Sequence, residues 1–152
     1  MNQLISIQNG RKQTSIFSAA EMENRLDKLR TQMAVENIDA VIFTSIHNIN
    51  YYNHFVYCSF GRPYGLVVTQ DKLKSITANI DGGHPWRRGF GENVIFTDWE
   101  KDNYFKAMQQ EVTNSGRVGI EYDHINLENL KKLQDVLSDS ELVDISKITM
   151  RQ

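Results

Sequence analysis

The chain has 152 residues, of which 40% are hydrophobic and 24% are charged. These values are typical of one globular domain with a single core, and they exclude a disordered or fibrous protein. The formal net charge of -2 supplies neither a basic surface that would attract nucleic acids nor a polybasic membrane signal. We therefore expect neither a nucleic acid nor a membrane as a partner.

The amino terminus and the cysteine content indicate a cytoplasmic protein. Residues 1–9 lack the basic stretch and long apolar run of a secretory signal, and no segment approaches the ~18 apolar residues of a membrane-spanning helix. Cys58 is the single cysteine, which excludes an internal disulfide and a multi-cysteine zinc site.

The first half of the chain predicts an edge strand, a helix and a hairpin. Leu4 to Ile7 alternates weakly and is predicted as the edge strand, with a polar loop after it. Ser18-Ala-Ala-Glu21 fits a capping box, in which the serine hydroxyl and the glutamate carboxylate satisfy free amides at a helix start. The helix continues with an apolar stripe of Met22, Leu26, Leu29 and Met33, and Asn37 is predicted as its left-handed stop. Further strands are predicted at 40–44, 65–69 and 73–80, with a tight hairpin at Gln70-Asp71-Lys72.

The second half predicts strands that alternate with helices. The strands are predicted at 93–97, 118–121 and 142–145, and the amphipathic helices at 101–112 and 127–137. Alternation of this kind predicts an α/β domain over residues 1–145, with three α/β/α layers around a mixed sheet of about six strands. Residues 146–152 begin like a capped helix that stops within its first turns.

The histidines His47 and His54 lie close to Cys58 in the chain. Their segment offers no carboxylate and no helical i, i+4 histidine pair, so we interpret the three residues as turn, packing and hydrogen-bonding groups rather than metal ligands.

A second polar group, Glu121, Asp123 and His124, follows a predicted strand. Open α/β sheets often bind ligands at such positions, so this group could act as acid and base. We favour the alternative that Asp123 or Asn126 caps the next helix while His124 is exposed to solvent.

Two arginine-containing segments could bind an acidic group. Trp86-Arg87-Arg88 combines an aromatic ring with two cations, and ion pairing between subunits or domains is its favoured use. In Phe60-Gly-Arg-Pro63 the glycine permits backbone conformations closed to other residues and the proline stiffens the next step, so we expect Arg62 to be held out on a loop. A guanidinium suits a carboxylate because it donates two parallel hydrogen bonds, although an arginine in such a loop is usually a surface ion-pair residue.

Four longer segments carry a resemblance to a known family. They are His47-Asn-Ile-Asn-Tyr-Tyr52, Tyr57-Cys-Ser-Phe-Gly-Arg-Pro-Tyr64, Ala78-Asn-Ile-Asp-Gly-Gly83 and Pro85-Trp-Arg-Arg88. With them the chain resembles, from about Phe17 to about Ile145, the amino-terminal domain of the creatinases, the creatine amidinohydrolases of the creatinase/prolidase family. The resemblance implies that residues 146–152 start a linker helix to a catalytic domain that this chain lacks.

The resemblance also implies a function that the chain does not perform alone. Creatinases hydrolyse creatine to sarcosine and urea without a metal or other cofactor, as homodimers, and the catalytic residues lie in the carboxy-terminal domain. The amino-terminal domain helps to build the dimer and lends a Phe-Gly-Arg loop to the active site of the neighbouring subunit. Phe60 and Arg62 match that loop, and Arg62 is implied as the partner of the substrate carboxylate.

Two other functions are compatible with the sequence. The chain could be the accessory domain of a metal-dependent Xaa-Pro peptidase, or a module that binds a peptide or protein without catalysis. The coding sequence beyond Gln152 would separate them, because a peptidase requires a complete set of metal ligands there.

We expect the 152-residue chain by itself neither to hydrolyse creatine nor to hold a stoichiometric metal, because its sequence has no defined catalytic base and no ligand set. Urea release and metal content of the purified chain test this. Urea above background, or one tightly held zinc per chain, would contradict the expectation.

Overall fold

A mixed β-sheet forms the middle layer of the computed structural model, which describes residues 4–56 and 61–150. Within these residues the sheet has seven strands in the order β1-β5-β4-β3-β2-β6-β7. They are β1 (Ile5–Ser6), β2 (Ala40–Phe43), β3 (Gly65–Thr69), β4 (Leu73–Ala78), β5 (Glu92–Phe96), β6 (Arg117–Ile120) and β7 (Glu141–Asp144). The pairs β2–β6, β4–β5 and β6–β7 are parallel, whereas β3 is antiparallel to both β2 and β4, and β1 is antiparallel to β5.

Helices cover both faces of the sheet. They are α1 (Ala19–Val35), α2 (Ile46–Asn53), α3 (His84–Arg88), α4 (Asn103–Glu111), α5 (Leu127–Val136) and α6 (Ser146–Thr149). Side chains of α4 and α5, such as Met108 and Leu133, pack on one face of the sheet, and side chains of α1 and α2, such as Leu29 and Tyr52, pack on the other. This arrangement confirms the predicted α/β/α architecture, with a strand more than the six expected. No helix within 4–56 and 61–150 is long and apolar enough to span a membrane.

The start and the end of α1 follow the predicted local signals closely. Ser18 is the N-cap, and its hydroxyl accepts a hydrogen bond from the Glu21 amide at 3.1 Å. The reciprocal half of the predicted capping box is wrong, because the Glu21 carboxylate accepts from Arg25 Nε at 2.9 Å instead. Asn37 has a φ of +54° and is therefore the predicted left-handed residue after the helix.

Two helices lie where the sequence patterns predicted none. α2 covers Ile46–Asn53, and α3 covers His84–Arg88. Both are short and rich in polar residues, so an apolar repeat of helical period does not stand out in them. The hairpin between β3 and β4 is confirmed, since the Thr69 amide bonds to the Lys72 carbonyl at 3.0 Å across the turn.

The segment between β1 and α1 is fixed by one lysine. Lys12 Nζ donates to the carbonyl oxygens of Trp86, Gly89 and Gly91 at 2.8–3.0 Å, and it lies 3.9 Å from the centre of the Trp86 ring. Burial lowers the pKa of Lys12, with a smaller opposing effect of Glu92. The three carbonyls use all the donors of the ammonium group and offset its desolvation.

We predict that Lys12→Gln lowers the free energy of unfolding by about 1.5–3 kcal/mol, because carbonyls that now accept from a charged donor lose it. Chemical denaturation measures the change. Lys28→Gln is the matched control, since Lys28 is exposed on α1 and its replacement should matter by less than about 0.5 kcal/mol. Equal effects of the two substitutions would show that the Lys12 contacts contribute no stability.

Candidate functional site

The strand directions collect several polar segments at one edge of the sheet. β2, β4, β5 and β6 all run the same way, so their carboxyl ends meet, and the antiparallel β3 begins at that same edge. Thr44 follows β2, Asp81 lies just beyond β4, and His124 follows β6, while Arg62 precedes β3. Open α/β sheets bind their ligands at the carboxyl ends of strands, which makes this edge the candidate site.

Glu121 is the buried centre of this edge. Glu121 directly follows β6 and is only 2% exposed. Oε2 accepts from the amides of Thr44 and Ser45 at 2.6 and 2.9 Å, and Oε1 accepts from the Ser45 hydroxyl and from Nδ2 of Asn48. Because Ser45 is the N-cap of α2, the carboxylate connects the start of that helix to the end of β6. Glu121 is thus a structural group, which argues against the acid–base use that its position after a strand left open.

His124 is attached to this network through Thr44. The Thr44 hydroxyl lies 3.1 Å from Nδ1 of His124 and 3.3 Å from Oε2 of Glu121. The imidazole is exposed, as expected. Asn126 is the N-cap of α5 and accepts from the Asn129 amide at 2.8 Å, which confirms it as one of the two predicted caps.

Arg62 lies on the loop that leads into β3. Gly61 before it has a φ of +74°, a conformation that side chains with a Cβ disfavour, and no atom would contact a Cβ there. The Arg62 side chain is 34% exposed, and its Nε lies 4.0 Å from Oδ2 of Asp81. This Nε has no hydrogen-bond partner in the part of the chain that the structure describes. The guanidinium is therefore held near an acidic group without being saturated by it.

The end of the Arg62 loop is fixed by Tyr104 of α4. The Tyr104 hydroxyl donates to the Tyr64 carbonyl at 3.0 Å in a buried contact. Burial raises the pKa of Tyr104, with smaller contributions from Glu121 and Tyr64, so the phenol keeps its proton. A Cβ on Gly65 would stand 2.6 Å from that hydroxyl and would also clash with Met108, so a glycine at 65 lets α4 approach.

A cleft of about 370 Å³ opens beside this loop. Arg62 and His124 both line it, although 61 residues separate them in the sequence. Tyr104, Thr44, Asn126 and Asn129 complete the polar part of the lining. Arg62 and His124 belong to separate motifs in the sequence, and no pattern there identified Thr44, Tyr104 or Asp81 as members of one site. Asp81 lies within Ala78-Asn-Ile-Asp-Gly-Gly83, one of the four segments that carry the family resemblance, and this was the signal in the sequence that could have pointed to it.

The histidine-rich segment does not form a metal site in the part of the chain that is described. His47 is exposed on α2, and His54 is the left-handed C-cap of that helix. Among the described residues no group of three or more histidine, cysteine, aspartate or glutamate side chains could hold a metal ion. Cys58 and Phe60 lie outside the described residues, so the assignment of Phe60 as a substrate-binding residue stays a prediction.

Trp86 and Arg87 act within the domain. Nε1 of Trp86 donates to the Gly10 carbonyl at 2.9 Å, and Arg87 donates to the Asn9 carbonyl at 3.2 Å. Both residues therefore hold the segment between β1 and α1 to which Lys12 belongs. Arg88 is exposed, so it remains the member of this motif that could pair with another subunit or domain.

A sequence profile for the Creatinase/Prolidase N-terminal domain matches residues 25–152. The chain belongs to the creatinase/prolidase amino-terminal domain family. A creatinase from Bacillus sp. (strain B-0618) is 50% identical over 149 residues, which are 95% of this chain and 36% of that protein. The chain thus spans about a third of the length of this curated relative.

Solved structures of other members of the creatinase/prolidase family share the fold. The crystal structure of the creatinase/prolidase N-terminal domain of an X-Pro dipeptidase from Streptococcus pyogenes has a TM-score of 0.74 at 17% identity, and the match covers 85% of this chain and 98% of that one. An Xaa-Pro dipeptidase from Bacillus anthracis has a TM-score of 0.72 at 14% identity, covering 86% of this chain and 35% of that one. At these identities the likeness is one of fold.

We predict that Glu121→Gln destabilises the domain by about 1–3 kcal/mol, because an amide turns an N–H toward groups that themselves donate. Hydrogen exchange should accelerate most at the amides of Thr44 and Ser45, which donate to the carboxylate, and at the start of α2 that they precede. Glu100→Gln, at an exposed position, is the control and should change stability by less than about 0.5 kcal/mol. Unchanged exchange in α2 of the Glu121 variant would contradict the structural role.

Proposed function

We propose that this chain is the dimerising and substrate-lending domain of a creatine amidinohydrolase, which hydrolyses creatine to sarcosine and urea. The catalytic residues belong to another domain, and no cofactor or metal is held by this one. Support comes from the 50% identity to the Bacillus sp. creatinase along 95% of the chain. That relative is much longer than this chain, so the activity of the whole enzyme is part of the proposal.

The state of Arg62 is the observation that carries the proposal. A guanidinium at the mouth of a cleft, a third exposed and 4.0 Å from its acidic neighbour, keeps hydrogen-bond donors for a further partner. Creatine carries a carboxylate, and the planar fork of arginine fits a carboxylate with two parallel hydrogen bonds. Arg62 therefore holds the substrate carboxylate, and Phe60 is the second substrate-binding residue that the resemblance implies.

The loop is also suited to act outside its own domain. Tyr104 holds the carbonyl of Tyr64 behind it, and Gly61 supplies the turn in front of it. A fixed base and a side chain that is a third exposed suit Arg62 to the active site of the neighbouring subunit in a homodimer.

The alternative of an accessory domain in an Xaa-Pro peptidase has weaker support. The similar structures of such peptidases have 14% and 17% identity to this chain, which reflects the shared fold, whereas the creatinase has 50%. No feature of the described residues favours a module that binds a peptide or protein.

A chimera tests the proposal directly. This chain replaces the corresponding domain of the Bacillus sp. creatinase, and creatine hydrolysis is measured as urea release. We expect an active chimera in which Arg62→Ala lowers kcat/KM for creatine about 10- to 100-fold, because a hydrogen bond to a charged group is lost. Arg62→Lys should recover part of that loss, since an ammonium keeps the charge but not the forked geometry.

Arg11→Ala is the matched control, because Arg11 is exposed and lies on the amino-terminal segment away from the cleft. Mixed dimers then locate the action of Arg62. A subunit with Arg62→Ala, combined with a subunit disabled in its catalytic domain, should regain about one working site per dimer. Full activity of the Arg62→Ala chimera would refute the clamp, and a failure of complementation with proven subunit exchange would refute its action across the interface.

A further inference from the structure

The cleft beside Arg62 contains a second hydrogen-bonding group that the family resemblance does not include. His124 lines it together with Arg62, and Thr44 contacts Nδ1 of the imidazole at 3.1 Å. The other ring nitrogen, Nε2, has no hydrogen-bond partner among the described residues. Whether Nε2 carries a hydrogen decides whether this nitrogen can donate to a group bound in the cleft.

Glu121 and His124 compete for the hydrogen of the Thr44 hydroxyl. An ionised carboxylate has about four acceptor positions. Four donors already fill them: the amides of Thr44 and Ser45, the Ser45 hydroxyl and Nδ2 of Asn48. The Thr44 hydroxyl is a fifth donor to this carboxylate, at the longer distance of 3.3 Å, and it also lies 3.1 Å from Nδ1 of His124, where the tautomer of the imidazole sets which atom donates. An Nδ1 that accepts leaves Nε2 as an N–H donor.

The charges around the cleft favour an anion. Arg62 is a permanent cation, and none of the residues that line the cleft within the described part of the chain is acidic. Asp81 is engaged with Arg62, Glu121 is saturated, and Asp123 accepts from the Ser146 hydroxyl at 2.9 Å. Asn126 and Asn129 line the cleft at the amino end of α5, where the helix dipole is positive.

We propose that His124 is a second carboxylate-binding residue of this cleft, donating from Nε2–H to the same anionic substrate group that Arg62 binds. The inference rests on the proposed function for its substrate. It adds a specificity-determining residue, because a carboxylate held by two different donors is distinguished from a neutral group better than one held by a single arginine.

Two substitutions separate the two ends of the imidazole. His124→Asn keeps an acceptor near the Thr44 hydroxyl but removes the donor at the position of Nε2, whereas His124→Gln restores a side-chain N–H at that reach. In the chimera we expect His124→Asn to raise KM for creatine about 3- to 10-fold with little change in kcat, and His124→Gln to recover most of the loss.

A neutral ligand distinguishes binding from a structural effect. The primary amide of creatine keeps the guanidino group but lacks the negative charge, and its inhibition constant should be unchanged by His124→Asn. Equal weakening of creatine and of the amide, or no weakening of creatine while Arg62→Ala does weaken it, would overturn the role of His124. If Arg62→Ala itself had no effect, the proposed function would fail instead.

A second readout does not require catalysis. The long-range ¹H–¹⁵N spectrum of the 152-residue chain reports the protonated nitrogen of His124, and acetate at millimolar concentrations serves as the minimal carboxylate. We expect a saturable shift of the Nε2 signal with a Kd on the order of 1–100 mM, lost in Arg62→Ala. A proton found on Nδ1, or an Nε2 signal that acetate does not move, would refute the proposal whatever the chimera does.

Discussion

The carboxyl edge of this domain depends on one buried carboxylate. A charged group out of contact with water is costly unless donors surround it, and Glu121 has four of them within two adjacent segments. Two are the amides of Thr44 and Ser45, directly before α2, and the dipole at the start of that helix also favours a negative charge. The same contacts that stabilise the charge therefore hold α2 against the end of β6.

The Arg62 loop is supported from the other face of the sheet. Tyr104 reaches from α4 to the carbonyl of Tyr64, and Gly65 makes room for the contact. A side chain that must meet a ligand outside its own domain has to be fixed at its base, since a mobile base would add an entropic cost to binding. Glu121, at the end of β6, holds the side of the cleft that contains Thr44, and Tyr104 of α4 holds the side that contains Arg62.

Cations elsewhere in the domain show why Arg62 differs. Lys12 donates all three of its N–H groups to carbonyl oxygens, and Arg87 donates to the carbonyl of Asn9. These groups stabilise the chain and have little capacity left for a ligand. Arg62 and His124 instead keep donors without partners in the described residues, and both of them line one cleft. The candidate site is therefore marked by side chains that line one cleft and still have hydrogen-bond donors available for a ligand, and not by residue type alone.

Local signals in the sequence determined the elements that depend on local physics. The apolar runs specified the strands, the stripe from Met22 to Met33 specified the buried face of α1, and Ser18 and Asn37 specified its ends, because caps and periodicity act within a few residues. The loop of Arg62 could also be predicted, since glycine permits a left-handed turn that other residues disfavour and proline fixes its own φ. Only the tertiary structure decided that Glu121 stabilises α2 rather than serving as an acid or base, and that His124 shares a cleft with Arg62. Those contacts join residues more than 60 positions apart, and they follow from the order and direction of the strands, which no local pattern encodes.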